Sequence, residues 1–199
     1  MSKVTSTLHV SSTGTRESLL EAAWLLLRRD PASASMARIA AEAGVSRQAV
    51  YLHFQSRAGL LLALVRWVDE REGVAERFGE ALHARSPRAV LEAAARTWLD
   101  YLPRLHPVAH FLARSIDDAE AHAAWNDRMG ELERIYRAPL RELHRSGKLR
   151  DGLSVEHAVA LVRGVASVDA WHFLVHERTW KQELAVESLL TAIGGALFR

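Results

Sequence analysis

From Arg16 onward the apolar residues of this chain recur three and four positions apart, and no useful length alternates apolar with polar as a half-buried strand would. Leu19, Leu20, Ala23, Trp24 and Leu27 set the pattern, falling on one face of a helix that has to be buried. A chain written this way folds by packing helices on helices, and its breakers divide it. Asp30-Pro31 ends the first helix, Gly44 separates the second from the third, and Ser56 caps a fourth over 56–68. Ser86 followed by Pro87 opens a helix over 86–102, ahead of Pro103, and His106-Pro107 opens another over 106–115. A long helix over 120–145 should bend near Pro139, where proline removes a backbone bond. Gly147 and Gly152 bracket a turn, Ser154 starts a helix over 154–175, and Thr179 with Gln182 forms a capping box for the last, ending at 197. The expectation is an all-α protein of about nine helices. Residues 1–15, mostly Ser and Thr without periodicity, are expected to be a disordered tail.

Composition narrows the class. At 199 residues the chain buries a real core without staples, and with no cysteine it has neither disulfides nor thiolate metal ligands, which suits a reducing compartment. There is no apolar signal region before residue 19, and no apolar run reaches the ~18 residues of a membrane span. A soluble, cytoplasmic protein with no membrane partner is expected. Net charge is only +2, but residues 1–66 carry eight Lys/Arg against four Asp/Glu, and residues 67–199 carry eighteen against twenty. A basic end on a slightly acidic body supports a polyanion-binding head.

The head has the grammar of a helix-turn-helix. Ser35 is a good N-cap for a short helix whose Ile39 and Ala40 face inward, and Gly44 allows the left-handed backbone of a tight turn. Val45 plugs the space between two helices, and Ser46 caps the second, Arg47 onward, which is placed to enter a major groove. Val50 and Phe54, one turn apart, should pack inward and leave Arg47, Gln48 and Tyr51 outside. Arginine can bond guanine, glutamine adenine, and tyrosine a thymine methyl or a phosphate. His53, Arg57 and the amides at the Ser35 cap are expected to hold phosphates, while Ala49 is small enough for close approach. These features alone also describe an ordinary solvated helix pair.

The segment IAAEAGVSRQAVYLHFQSRAGLL, within a stretch from residue 16 to about 65, resembles the N-terminal domain of TetR-family transcriptional regulators. The matching residues are Ile39, Ala40, Ala43, Gly44, Val45, Ser46, Tyr51, His53, Phe54 and Arg57, over about a quarter of the chain. One departure is the loop 30–35, Asp-Pro-Ala-Ser-Ala-Ser, where the family usually has glycine and an aromatic residue, so a different loop path is expected. The resemblance implies a DNA-binding domain over 16–62 and a ligand-binding and dimerisation domain over 63–199. It further implies a homodimer on a palindromic operator, most often a repressor, released when a small-molecule effector acts through the fourth helix.

The body has no shared motif and is read locally. Leu161, Val162, Val165 and Val168, and later Leu189, Leu190, Ile193 and Leu197, make stripes too wide for one core face, so one side of each helix is free to pair with a symmetry mate. Two fully buried helices in a monomer are the alternative. For an apolar effector the middle helices offer Trp98, Tyr101, His106, His110, Phe111, Arg114, Trp125, Met129, Trp171 and His172, a set that serves an ordinary core equally well. His106/His110 and His172/His176 have the i, i+4 spacing of metal ligands, but without cysteine or an HExxH pattern they read as ordinary histidines, and no metal or other cofactor is expected. With neither a glycine-rich phosphate loop nor a G-x-S-x-G elbow, nothing points to an enzyme. The rival of another class is a small-molecule binding or scaffolding protein of the same fold that does not use DNA.

Overall fold

The computed structural model describes residues 12–30, 34–114 and 118–198. These form ten α-helical segments: α1 (Ser12–Arg29), α2 (Met36–Glu42), α3 (Arg47–Phe54), α4 (Arg57–Arg71), α5 (Val74–Leu82), α6 (Pro87–Ala113), α7 (Ala119–Arg145), α8 (Val155–Val165), α9 (Val168–His172) and α10 (Gln182–Leu197). A π-helical turn, Phe173–Glu177, continues α9. Helix α1 begins at Ser12, so the last four residues of the expected tail are helical; residues 1–11, the loop residues 31–33 and the expected helix end at 115 lie outside the described residues.

This is the all-α architecture of about nine helices that was expected, with several helix bounds that differ for physical reasons. Helix α5 escaped the sequence reading, although Val74, Phe78 and Ala81 bury one face of it, because Gly73, at φ +60°, interrupts the periodicity just before it. The two helices expected on either side of Pro103 are one, α6, with Pro103 and Pro107 inside it. Each interior proline costs about 3 kcal/mol. Leu99, Leu102, Leu105, Val108 and Leu112 are fully buried around them, and each such side chain contributes about 1.5–3 kcal/mol, so packing outweighs propensity. The helix expected over 154–175 breaks instead, because the Ser167 hydroxyl accepts the amide of Ala170 and starts α9 afresh. No capping box forms at Thr179. That residue adopts φ +55°, its hydroxyl donates to the carbonyl of Arg178, and α10 starts after Lys181 without a side-chain cap. Pro139 sits buried within an unbroken α7.

Helices α1 to α3 pack on one another and on the first half of α4, which forms the head; α5 to α10 form the body around the α6–α7 pair. Helix α4 belongs to both, crossing the boundary expected after residue 62 and burying Leu60, Leu61, Leu64, Val65 and Val68. Its start is seated closely on α3. A Cβ placed on Gly59 would lie 2.2 Å from the carbonyl oxygen of Phe54, so only glycine allows this approach. Its far end is tied into the body by Asp69, which accepts the Tyr101 hydroxyl at 2.7 Å and pairs with Arg128 at 3.1 Å.

One stretch, Val155–Glu177, matches a membrane span by length and composition alone, although Glu156, Arg163 and Asp169 interrupt its apolar residues. It packs on α6, α7 and α10. Only 33% of its most apolar window is buried within the described chain.

Candidate nucleic-acid interface

Local chemistry builds the helix-turn-helix. The Ser35 hydroxyl accepts the amide of Arg38 at 3.3 Å and the Ser46 hydroxyl that of Ala49 at 3.2 Å, each satisfying a donor in a first helical turn. Between them Gly44 takes φ +68° and the Val45 amide returns to the carbonyl of Ala40, with the Val45 side chain against the core as expected. Val50 is fully buried and Phe54 nearly so, which fixes the roll of α3. Gln55, also left-handed at φ +62°, closes the helix, its amide bonding the carbonyl of Tyr51.

That roll leaves a polar outer face. Arg47 and Gln48 are exposed, Ala49 is half-buried, and Tyr51 is exposed. Arg47 lies over the Tyr51 ring, 5.6 Å from its centroid, and donates to the phenol oxygen at 3.3 Å, so the two side chains project together. Leu52, passed over in the sequence, is 78% exposed, and an apolar group so displayed on a candidate reading helix suits a thymine methyl. His53 is half-buried beside Phe54.

Arg57 has a partner within the fold that its place in the sequence does not suggest. Its guanidinium lies over the Phe111 ring, 4.5 Å from the centroid, and its Nε is buried without a partner among the described residues. It faces the body and not the outer surface of α3. One residue earlier, the Ser56 hydroxyl accepts the Gly59 amide at 2.9 Å and donates to Glu120 at 2.9 Å. Two adjacent residues at the start of α4 thus clasp the end of α6 and the beginning of α7.

The expected effector residues fall into separate groups. Trp98 and Tyr101 are core residues whose polar atoms are engaged, Trp98 Nε1 donating to the Ala166 carbonyl at 2.7 Å and Tyr101 to Asp69. Trp125 and Met129 are buried on α7, with Trp125 beside a cleft lined by Leu62, Arg66, Asp69 and Arg128. Phe111 lies under Arg57, whereas His110, with Arg114 near it, gathers with Trp171 and His172 where α6 packs against α9. There the two histidine pairs meet, with the rings of His110 and His172 3.9 Å apart and those of His106 and His176 4.4 Å apart. Burial, reinforced by the neighbouring imidazoles, pushes His106 down to about 3 and lowers His110 and His176 as well. The expected dimer residues divide too: Val162, Val168, Leu189, Ile193 and Leu197 are buried in the chain's own core, Val165 and Leu190 are half-buried, and Leu161 is exposed.

Residues 19–64 match the family model described as bacterial regulatory proteins of the tetR family. The fold as a whole is similar to that of NalD, the secondary repressor of the MexAB-OprM multidrug efflux pump in Pseudomonas aeruginosa, with a TM-score of 0.65 at 23% identity over 94% of this chain and 98% of that one. It is also similar to the transcriptional regulator FadR from Bacillus subtilis in complex with stearoyl-CoA, at 0.70 and 17% identity over 90% and 98%. A third similar structure is the ketosteroid transcriptional regulator KstR2 of Mycobacterium tuberculosis, at 0.62 and 18% over 92% and 95%. No curated protein matches the chain by sequence.

Proposed function

From a tetR-family N-terminal domain on a TetR-like all-α fold, we propose that the chain is a ligand-responsive cytoplasmic regulator of transcription, a repressor that binds a palindromic operator as a homodimer. The observation that carries this reading is the outer face of α3. Arg47, Gln48, Tyr51 and Leu52 are held outward by a helix whose roll the core sets, and Arg47 and Tyr51 pair with each other there. In this reading Arg47 and Gln48 read base edges, Tyr51 and Leu52 meet thymine methyls, and Ala49 lets the helix approach closely. Ser35, Ser46 and His53 flank that face and contact phosphates.

One head reads half a site, so a second copy is needed about 34 Å away. The surface for it is the outer side of α8 and α10, where Ala160, Leu161, Gly164, Leu184, Ala192 and Gly195 are small or apolar and largely uncovered. Four such helices, two from each copy, would cover the apolar stretch that one chain leaves mostly unburied. A small-molecule effector entering between α6, α7 and α9 would act through α4. To take the protein from mostly bound to mostly free, it must prefer the released state by about 5 kcal/mol.

Electrophoretic mobility shift with the full-length protein and its own upstream DNA tests the reading. Retardation at low salt, weakening as salt rises, is expected. Arg47→Ala should cost about 1–3 kcal/mol and relax preference at one base position, whereas His53→Ala should weaken all sequences alike. A folded dimer that retards no upstream fragment at low salt would sink the operator model.

A further inference from the structure

Two histidine pairs 66 residues apart in sequence converge on one spot of the body, in a place the fold alone does not explain. His106 and His110 lie on the last turns of α6, and His172 and His176 on α9 and its π turn. We propose that His106, His172 and His176 form a binding site for one transition-metal ion of the zinc class, with the fourth position open to His110 or to water.

One ring nitrogen from each of the three lies within 4.8 Å of the other two, and His106 Nε2 is 2.9 Å from His172 Nδ1. Nitrogens bound tetrahedrally at about 2.0–2.1 Å from zinc stand roughly 3.4 Å apart. The widest pair therefore has up to about 1.4 Å to close and His106–His172 about 0.5 Å to open, and His176, which would move most easily, is exposed. The π turn matters here, because α-to-π transitions recur at functional sites and this one carries His176.

The surroundings are those of a metal site. His172 presents Nδ1 to His106 while its Nε2 lies 3.8 Å from Glu177, near enough that a small shift would let a ligating imidazole give its other N–H to that carboxylate. His110 Nδ1, buried without a hydrogen bond among the described residues, stands 3.9 Å from Asp169, a second carboxylate to offset a dication. The Trp171 ring, 5.2 Å from His106 and 5.4 Å from His176, forms an apolar floor that excludes water from one side. An all-imidazole set selects zinc, nickel, cobalt or copper over magnesium and calcium, which require oxygen.

The test needs no DNA and so is independent of the operator reading. Untagged, chelator-stripped full-length protein is titrated with Co²⁺, read by its visible ligand-field absorption, and Zn²⁺ is then added in competition. One ion per chain is expected, displaced by Zn²⁺ and not by Mg²⁺ or Ca²⁺. His106→Gln and His176→Ala should each lower affinity by about 100-fold or more, while His83→Ala, on an exposed histidine elsewhere, should leave it unchanged. Because His176 is exposed, its variant should match the parent in circular dichroism and metal-free melting temperature. Absence of saturable Co²⁺ binding, or equal affinity in the parent and the two site variants, overturns the site.

Discussion

The head and the body of this protein are built by different means. In the head every cap spans three residues, Ser35 to Arg38 and Ser46 to Ala49, and the polar side chains that remain are turned outward. In the body the polar groups bind one another across long stretches of chain: Asp69 to Tyr101, Trp98 to Ala166, His106 to His172. A head assembled from local contacts keeps its outer surface available for a partner. The body adds to its own three-residue caps, such as Ser154 to His157 and Ser167 to Ala170, a set of distant bonds that tie its helices together.

Substitutions at matched places test that contrast. The largest effect is expected from Gly59→Ala, where a new Cβ would meet the Phe54 carbonyl at 2.2 Å. Forcing atoms into such a contact should destabilise the head by about 3 kcal/mol, visible in urea unfolding and as lost DNA retardation at growth temperature. Wild-type stability in this variant would mean that α3 and α4 are not seated as described. Tyr101→Phe, which removes a bond to a charged group, should lower stability by about 1.5 kcal/mol. Hydrogen exchange should then quicken together in α4, α6 and α7, the three helices that the Asp69 junction joins. If only α6 responds, the body is less cooperative than its long-range contacts imply. Ser46→Ala should cost about 1 kcal/mol with faster exchange confined to α3, because a cap acts on its own helix. The exposed Arg71–Glu21 pair, 3.6 Å apart, is expected to matter least: Glu21→Gln should change the melting free energy by less than about 0.5 kcal/mol, measured by denaturant midpoint.

The same contrast explains what could be read from the sequence. Caps, the left-handed Gly44 and the inward pair Val50 and Phe54 act within a few residues, so the head was legible down to individual roles. Leu52 was not, because apolar character at one position does not say which way a helix rolls. The contact of Arg57 with Phe111 was not legible either, because that ring lies 54 residues further on. In the body, the prolines at 103 and 107 marked a boundary by propensity that the surrounding leucines override. Each histidine pair was visible as a spacing. That the two face each other depends on how α9 docks against α6, which no local pattern encodes.

The clasp at the start of α4 has a mechanical consequence. Ser56 and Arg57 are gripped by Glu120 and Phe111, on either side of the α6–α7 corner, while Asp69 is fastened to Tyr101 and Arg128. Asp69 is then a pivot, and the twelve residues from Arg57 to it make an arm of about 18 Å at 1.5 Å per residue. A push of 1 Å at the corner swings that arm by roughly 3°, applied directly beneath the head and not relayed along the helix. A shift of Phe111 or Glu120 would therefore change the angle at which α3 is held through a single short arm.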